Sequence, residues 1–252
     1  MRYAIISDIH ANLPALRAVL ADIDQRRDVG AIYHLGDLTG YAPWPNEVVT
    51  LLRERGIQGI AGNYDSTLAT DYKHCGCRAE TARDEELSHL SYEWTRTHAT
   101  PETKNYLGSL PFRLDLRPLG GHMSGPTITL LHGNQTLNTV YVTEDRPDAF
   151  LEKMATAVGA KADDVICFGH THKPWQRVVN DVRFINAGSV GRPKDGDWRA
   201  CYVLLSIASS GAQVEFVRVA YDVEESARAI LASELPDEFA EVLRSGGLPA
   251  AV

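Results

Sequence analysis

The chain opens on an alternation of short apolar runs, polar stops and helical periodicity. Arg2 to Ser7 predicts a buried strand, and Leu13, Leu16, Leu20 and Ile23 then recur at helical spacing. Asn12 is available there as a cap, with Pro14 in the first turn. Ala31 to Leu35 predicts a second strand, Pro45 to Arg55 a second helix and Ile57 to Ala61 a third strand. Strands that alternate with helices in this way belong to a layered α/β sheet.

From Ser66 to Leu110 the pattern changes. An irregular stretch with His74, Cys75 and Cys77 precedes a predicted helix over Ala82 to His98, and a shorter one follows Pro101. Residues 66–110 are therefore expected to form an insertion beside the site. Strands return at Phe112 to Arg117, Thr127 to His132, Asp164 to Phe168, Trp175 to Asn180, Val182 to Asn186, Cys201 to Ile207 and Val214 to Ala220. Pro147 to Val158 predicts a helix, and a helical tail over 222–252 is interrupted at Pro236. No Pro/Gly/Ser linker or repeat divides the chain, so residues 1–252 are expected to fold as one domain.

A chain of 252 residues with 44% hydrophobic content can bury a full core. Its net charge of −8 offers no general attraction to nucleic-acid backbones or anionic membranes. The first apolar run is too short and too lightly flanked for a signal peptide or membrane span, so the expected location is the cytoplasm. Four cysteines, at 75, 77, 167 and 201, make no disulfide framework or zinc-finger pattern, which fits a reducing compartment. Cys75 and Cys77 are expected to be plain thiols, and Cys167 and Cys201 core residues.

Chemistry-bearing residues gather where the strands end. Asp8 and His10 follow the first strand, Gly36-Asp37 the second, Gly62-Asn63-Tyr64-Asp65 the third, His132 the run TITLL, and Gly169-His170-Thr171-His172 the run VICF. Open α/β sheets place their ligand sites at strand carboxyl ends. Imidazole with carboxylate suits manganese, iron, nickel or zinc, and a bridging carboxylate can hold two cations about 3.5–4 Å apart. The bland alternative is a set of caps and turn formers, since Asp, Asn and His are common where strands end.

D-x-H, G-D, G-N-x-D, a strand-terminal H and G-H-x-H, in this order over residues 1–190, resemble the signature of the calcineurin-like metallophosphoesterase superfamily. The likeness is to its small bacterial-type phosphodiesterases, and it implies a four-layer αββα sandwich of two mixed sheets flanked by helices. It also implies two divalent metal ions, manganese first among them. Asp8, His10 and His172 would bind one, Asn63, His132 and His170 the other, and Asp37 would bridge them. A metal-bridging hydroxide would then attack a small phosphate ester, making the chain a metal-dependent phosphodiesterase or phosphatase. The family's motif has histidine where this chain has Tyr64; with Asp37 and Asn63, Tyr64 stands in the catalytic position. A phenol with a pKa of about 10 is a poorer acid near neutrality than imidazole, so activated leaving groups would suit it better. Either Tyr64 gives its own proton, or His74 or His98 replaces it, or the metals suffice.

Asn12, Asn134 and Arg192, the last in the glycine-rich run Asn186 to Pro193, are candidate substrate contacts, each also readable as a cap or turn residue. Asp65 fits a ligand-orienting role and a turn equally. Two competing functions remain: a non-catalytic binding scaffold of the same fold, and a nuclease. The tail leaves a homo-oligomer open.

Overall fold

Strand alternation explains the layers. β1 (Arg2–Ile6) turns Tyr3 and Ile5 to one face and Ala4 and Ile6 to the other, as the two-residue period of a strand requires. Tyr3 and Ile5 meet Val165, Cys167, Val203 and Leu205 between two sheets, while Ala4 and Ile6 pack with Leu16, Val19 and Leu20 beneath helices. This is the computed structural model of the chain, and it describes residues 1–78, 81–117, 125–208 and 211–247.

The first sheet joins β1 to β2 (Val29–His34), β3 (Gln58–Gly59), β9 (Ala200–Ala208) and β10 (Gly211–Val219) in the order β10-β9-β1-β2-β3. The second holds β4 (Leu114–Leu116), β5 (Ile128–Leu130), β6 (Val165–Phe168), β7 (Trp175–Val179) and β8 (Val182–Asn186) in the order β4-β5-β6-β8-β7. Both are mixed: β1/β2, β2/β3, β5/β6 and β6/β8 run parallel, the other pairs antiparallel. α1 (Leu13–Gln25) and α2 (Pro45–Glu54) cover the first sheet, and α6 (Asp148–Val158) covers the second by packing Leu151 and Met154 against Ile166 and Phe168. The expected helix–sheet–sheet–helix layering is present. Fully burying a side chain such as Ile5 contributes about 1.5–3 kcal/mol, so β1, apolar on both faces, fixes the loop that follows it.

One expectation needs correction. The stretch after Ser66 is not irregular from its start, because α3 (Asn63–Ala69) begins on Asn63 itself. Its signal is hidden because the capping position is Gly62; the end is stabilised instead by Asp65, whose carboxylate accepts the Gly62 N–H at 2.9 Å. α4 (Ala82–His98) and α5 (Pro101–Ser109) complete the 66–110 region. At the other end α7 (Val223–Leu231) and α8 (Glu238–Ser245) share a cluster of Ile230, Leu235, Phe239 and Leu243 that packs on Leu87 and Trp94 of α4 and on Tyr41. Residues 248–252 of the expected tail lie outside the described residues. Among the described residues no helix is long and apolar enough to cross a membrane.

Candidate metal centre

Parallel pairing puts the carboxyl ends of β1, β2 and β3 side by side in one sheet and those of β5, β6 and β8 side by side in the other. The loops are then laced together: Asp8 N–H donates to Gly36 O (3.1 Å), His10 N–H to Asp37 O (3.0 Å), Gly169 N–H to His132 O (2.9 Å) and Val190 N–H to Ser7 O (2.9 Å). Asp8, His10, Asp37, His170 and His172 all take left-handed backbone, with φ between 49° and 67°. Such a conformation costs a non-glycine residue of order 1–3 kcal/mol and persists only where its surroundings impose it. At Gly62 the approach is closer still: a Cβ there would lie 2.1 Å from Asp37 Oδ1, so only glycine fits beneath that carboxylate.

These turns bring seven donors together. The ligating atoms of Asp8, His10 and His172 lie within 4.8 Å of one another, as do those of Asp37, His132 and His170. Asn63 joins the second group, its Oδ1 3.0 Å from His132 Nε2 and its Nδ2 turned away to donate to Cys75 O at 2.9 Å. Asp37 Oδ2 stands between the groups, 3.4 Å from His132 Nε2 and 3.9 Å from His10 Nε2.

Hydrogen bonds on the far side of the rings decide what faces inward. The Nδ1 atoms of His10, His132 and His172 meet the carbonyls of Thr39 (3.0 Å), Leu35 (2.8 Å) and Arg192 (2.6 Å). A carbonyl only accepts, so each Nδ1 carries the hydrogen and, in the neutral ring, each Nε2 presents a lone pair. His10 Nε2 and His172 Nε2 face each other at 3.1 Å, and His132 Nε2 faces His170 Nδ1 at 3.2 Å. Asp8 Oδ2 accepts from Ser7 Oγ (2.6 Å) and His170 N–H (3.0 Å), whereas its buried Oδ1 has no hydrogen-bond partner. The facing acceptors of His10 and His172, beside the unpartnered Asp8 Oδ1, fit one cation, and the converging Asp37, Asn63, His132 and His170 atoms fit a second. The donor mix of imidazole, carboxylate and amide oxygen suits a borderline divalent metal.

The electrostatics follow from burial. Burial, then the neighbouring His172, pushes His10 down to about 3; burial and His132 do the same to His170, also to about 3. His172 is held well below the usual range by burial and then by Lys194 and Arg192. These three rings keep their lone pairs at neutral pH. Burial alone would lower His132 too, but the adjacent Asp37 carboxylate outweighs it and raises His132 to about 9, while His132 overcomes burial to hold Asp37 below its ordinary value. Burial and Asp37 raise Asp65 to about 7, against the pull of the Gly62 and Leu38 amides.

Residues outside the seven differ from expectation. Asn12 has no group left for a substrate: its Oδ1 caps α1 through Ala15 N–H (3.2 Å) and accepts from Ser226 Oγ, and its Nδ2 donates to Gly191 O and Tyr221 Oη. Asn134 Oδ1 closes a turn by accepting from Thr136 and Leu137 N–H. Tyr64 is fully buried, with its hydroxyl 2.9 Å from Ser91 Oγ of α4, and burial raises its pKa well above the usual phenol range. That is the setting of a packed core ring, not of a proton donor. His98 stacks on Trp94, and His74 Nδ1 accepts from Gly76 N–H. Cys75 and Cys77 are joined as a disulfide rather than lying as free thiols.

Asp65 holds the Asp37 loop against α3, accepting Asp37 N–H (2.8 Å), Leu38 N–H (3.0 Å) and Gly62 N–H (2.9 Å). The Arg192 guanidinium lies 4.0 Å above the ring of Tyr41, which itself meets His10 edge-on. Sequence reasoning missed Ser7, Tyr41 and Tyr141, the last with its ring centroid 4.1 Å from that of His170. Ser7 was discoverable from its place beside Asp8; the two tyrosines carry no local signal.

The calcineurin-like phosphoesterase superfamily domain matches residues 1–210 of the chain. An uncharacterized protein of Methanocaldococcus jannaschii, MJ0912, is 29% identical, the match covering 96% of this chain and 97% of that one. The metallophosphoesterase from Sphaerobacter thermophilus is 28% identical with a TM-score of 0.73, over 98% of this chain and 99% of that one. A hypothetical protein from Pyrococcus horikoshii, PH1004, shares the fold at a TM-score of 0.81 and 22% identity, over 99% of each chain. Since the domain match takes in every strand but β10 and all seven converging donors, this chain belongs to the calcineurin-like phosphoesterase superfamily.

Proposed function

We propose that this chain is a phosphoric ester hydrolase that works with two divalent cations, manganese first among the candidates, and that phosphodiesters are its first substrate class. The observation that carries this is the convergence of seven donors, with the Nε2 lone pairs of His10 and His172 facing one another across 3.1 Å. Asp8, His10 and His172 would hold one cation and Asn63, His132 and His170 the other, with Asp37 between them. When bound, the cations supply a water acidic enough to ionise near neutral pH, together with positive charge against the phosphoryl group.

The chain's own work is orientation. Carbonyls of Thr39, Leu35 and Arg192 fix three of the rings, Asp65 fixes the Asp37 loop, and Ser7 with the His170 amide fixes Asp8. With the Tyr64 hydroxyl committed to Ser91, no protein acid stands at position 64 to protonate a leaving oxygen. Esters with acidic leaving groups, such as nitrophenyl esters, are therefore the substrates expected to turn over fastest.

Metal analysis with a nitrophenyl phosphodiester assay tests this. The purified protein is expected to take up about two manganese ions per chain. Asp37→Asn is expected to lose more affinity and turnover than the about 10–100-fold that an outer-shell change costs. Metal uptake without turnover of any mono- or diester would instead make the chain a binding scaffold, and a folded protein that takes up no manganese, iron, nickel or zinc would refute the centre itself.

A further inference from the structure

Arg192 differs from the arginines at the molecule's surface. Arg2, Arg55, Arg83, Arg96 and Arg244 each meet a carboxylate. Arg192 has no ion pair among the described residues, and its Nε is buried without a hydrogen-bond partner. Its guanidinium lies instead 4.0 Å from the ring centroid of Tyr41 and 5.9 Å from that of Phe239. Tyr41 in turn meets His10 edge-on, 5.0 Å between centroids, and Phe239 likewise at 5.2 Å. Arg192's own carbonyl accepts from His172 Nδ1 at 2.6 Å. A permanent cation is thus held beside the Asp8, His10 and His172 group, its buried Nε without a partner among the described residues.

A partly desolvated guanidinium with nothing to bind is costly, and the cost is recovered where an anion arrives. Stacking on an aromatic face restricts the long side chain in advance, so less freedom is lost when it donates. Phe239 belongs to α8, whose end is tied to the loop after Arg192 by the Gly196 N–H donating to Gly246 O at 3.0 Å. The C-terminal helix and the loop bearing the arginine are therefore joined both at this bond and at Phe239.

We propose that Arg192 is a phosphate-binding residue of this site, donating to a non-bridging oxygen of the substrate phosphate, and that Tyr41 and Phe239 are positioning residues that hold it. The C-terminal helix α8, beyond the matched family domain, becomes part of the substrate-binding wall. This rests on the phosphoesterase reading.

Calorimetric titration of the manganese-loaded protein with inorganic phosphate, beside metal analysis of each variant, tests the assignment. Arg192→Gln is expected to keep its metals and weaken phosphate binding about tenfold or more, the worth of one charge-assisted hydrogen bond. Arg192→Lys, a point charge without the planar fork, is expected to recover only part of that loss. Phe239→Leu is expected to weaken phosphate binding by a smaller factor, with Phe239→Tyr restoring it. On a nitrophenyl ester Arg192→Gln, Arg192→Lys and Phe239→Leu should raise KM more than they lower kcat. Unchanged phosphate affinity in Arg192→Gln at full metal content would overturn the role of Arg192 and leave the phosphoesterase reading standing. A wild-type protein that takes up no metal would bring down both.

Discussion

At the sheet ends, Asp8, Asp37, His170 and His172 owe their positions to backbone: parallel strand register, left-handed turns and amide-to-carbonyl lacing between neighbouring loops. Tyr41, Tyr64 and Arg192 owe theirs to side chains from distant helices, Ser91 of α4 and Phe239 of α8. The first region admits few substitutions, because a changed residue must still fit a strained turn. The second tolerates changes of type, provided volume and a polar partner are kept. A histidine-to-tyrosine exchange relative to the family motif, at position 64, therefore falls at the boundary of the second region, while every donor of the first is present.

The contrast breaks most readily at Asp65, the residue that ties the Asp37 loop to α3. Its two oxygens accept three backbone N–H groups, and Asn would turn an N–H₂ against at least one of them. Asp65→Asn is expected to lower metal affinity about 10–100-fold, as outer-shell changes do, read by competition with a chelating dye. Wild-type affinity would show that the sheet-end loops hold their shape without it.

A smaller effect comes from protons. His132 is raised to about 9 by Asp37 when no cation is present, and a metal ligand must give up its proton. Below that pH metal uptake displaces one proton from this ring, so affinity is expected to fall about tenfold for each unit of acidification, and to level off above it. The metal-free protein carries the same linkage in its stability. The His132–Asp37 ion pair contributes fully below the ordinary 6.5 and is lost as pH rises through about 9. Calorimetry in buffers of different ionisation enthalpy, with thermal unfolding of the metal-free protein, reads both; affinity independent of pH over this range would mean that His132 is neutral in the empty site.

The contrast also explains what the sequence could disclose. Asp8, His10, Asp37, His132, His170 and His172 stand directly after apolar strands, so position along the chain already implies position in space. α4 and β8 match their predicted bounds because capping and alternation are local. α3 was hidden since its cap, Gly62, has no side chain to announce it. Asn12 could be read as a cap or as a substrate contact, and only its four partners distinguish the two. The meeting of Tyr41, Arg192 and Phe239 joins three distant segments, which no periodicity encodes. Cys75 and Cys77 show the same limit: C-x-C is equally a pair of thiols and a bond.

Tyr64→Phe sharpens the comparison with the smallest change. It removes one oxygen whose partner, Ser91 Oγ, also accepts from Tyr41 N–H at 2.9 Å, so the serine is not left bare. If the ring belongs to the packed wall, the variant loses about 0.5–1.5 kcal/mol of stability, the net worth of a hydrogen bond, and keeps kcat within about twofold. Were the hydroxyl a proton donor to the leaving group, kcat would fall about 10²–10⁴-fold, and most steeply on esters with weakly acidic leaving groups. Urea unfolding together with kcat on nitrophenyl and alkyl esters separates the two, because packing moves the first quantity and acid catalysis the second.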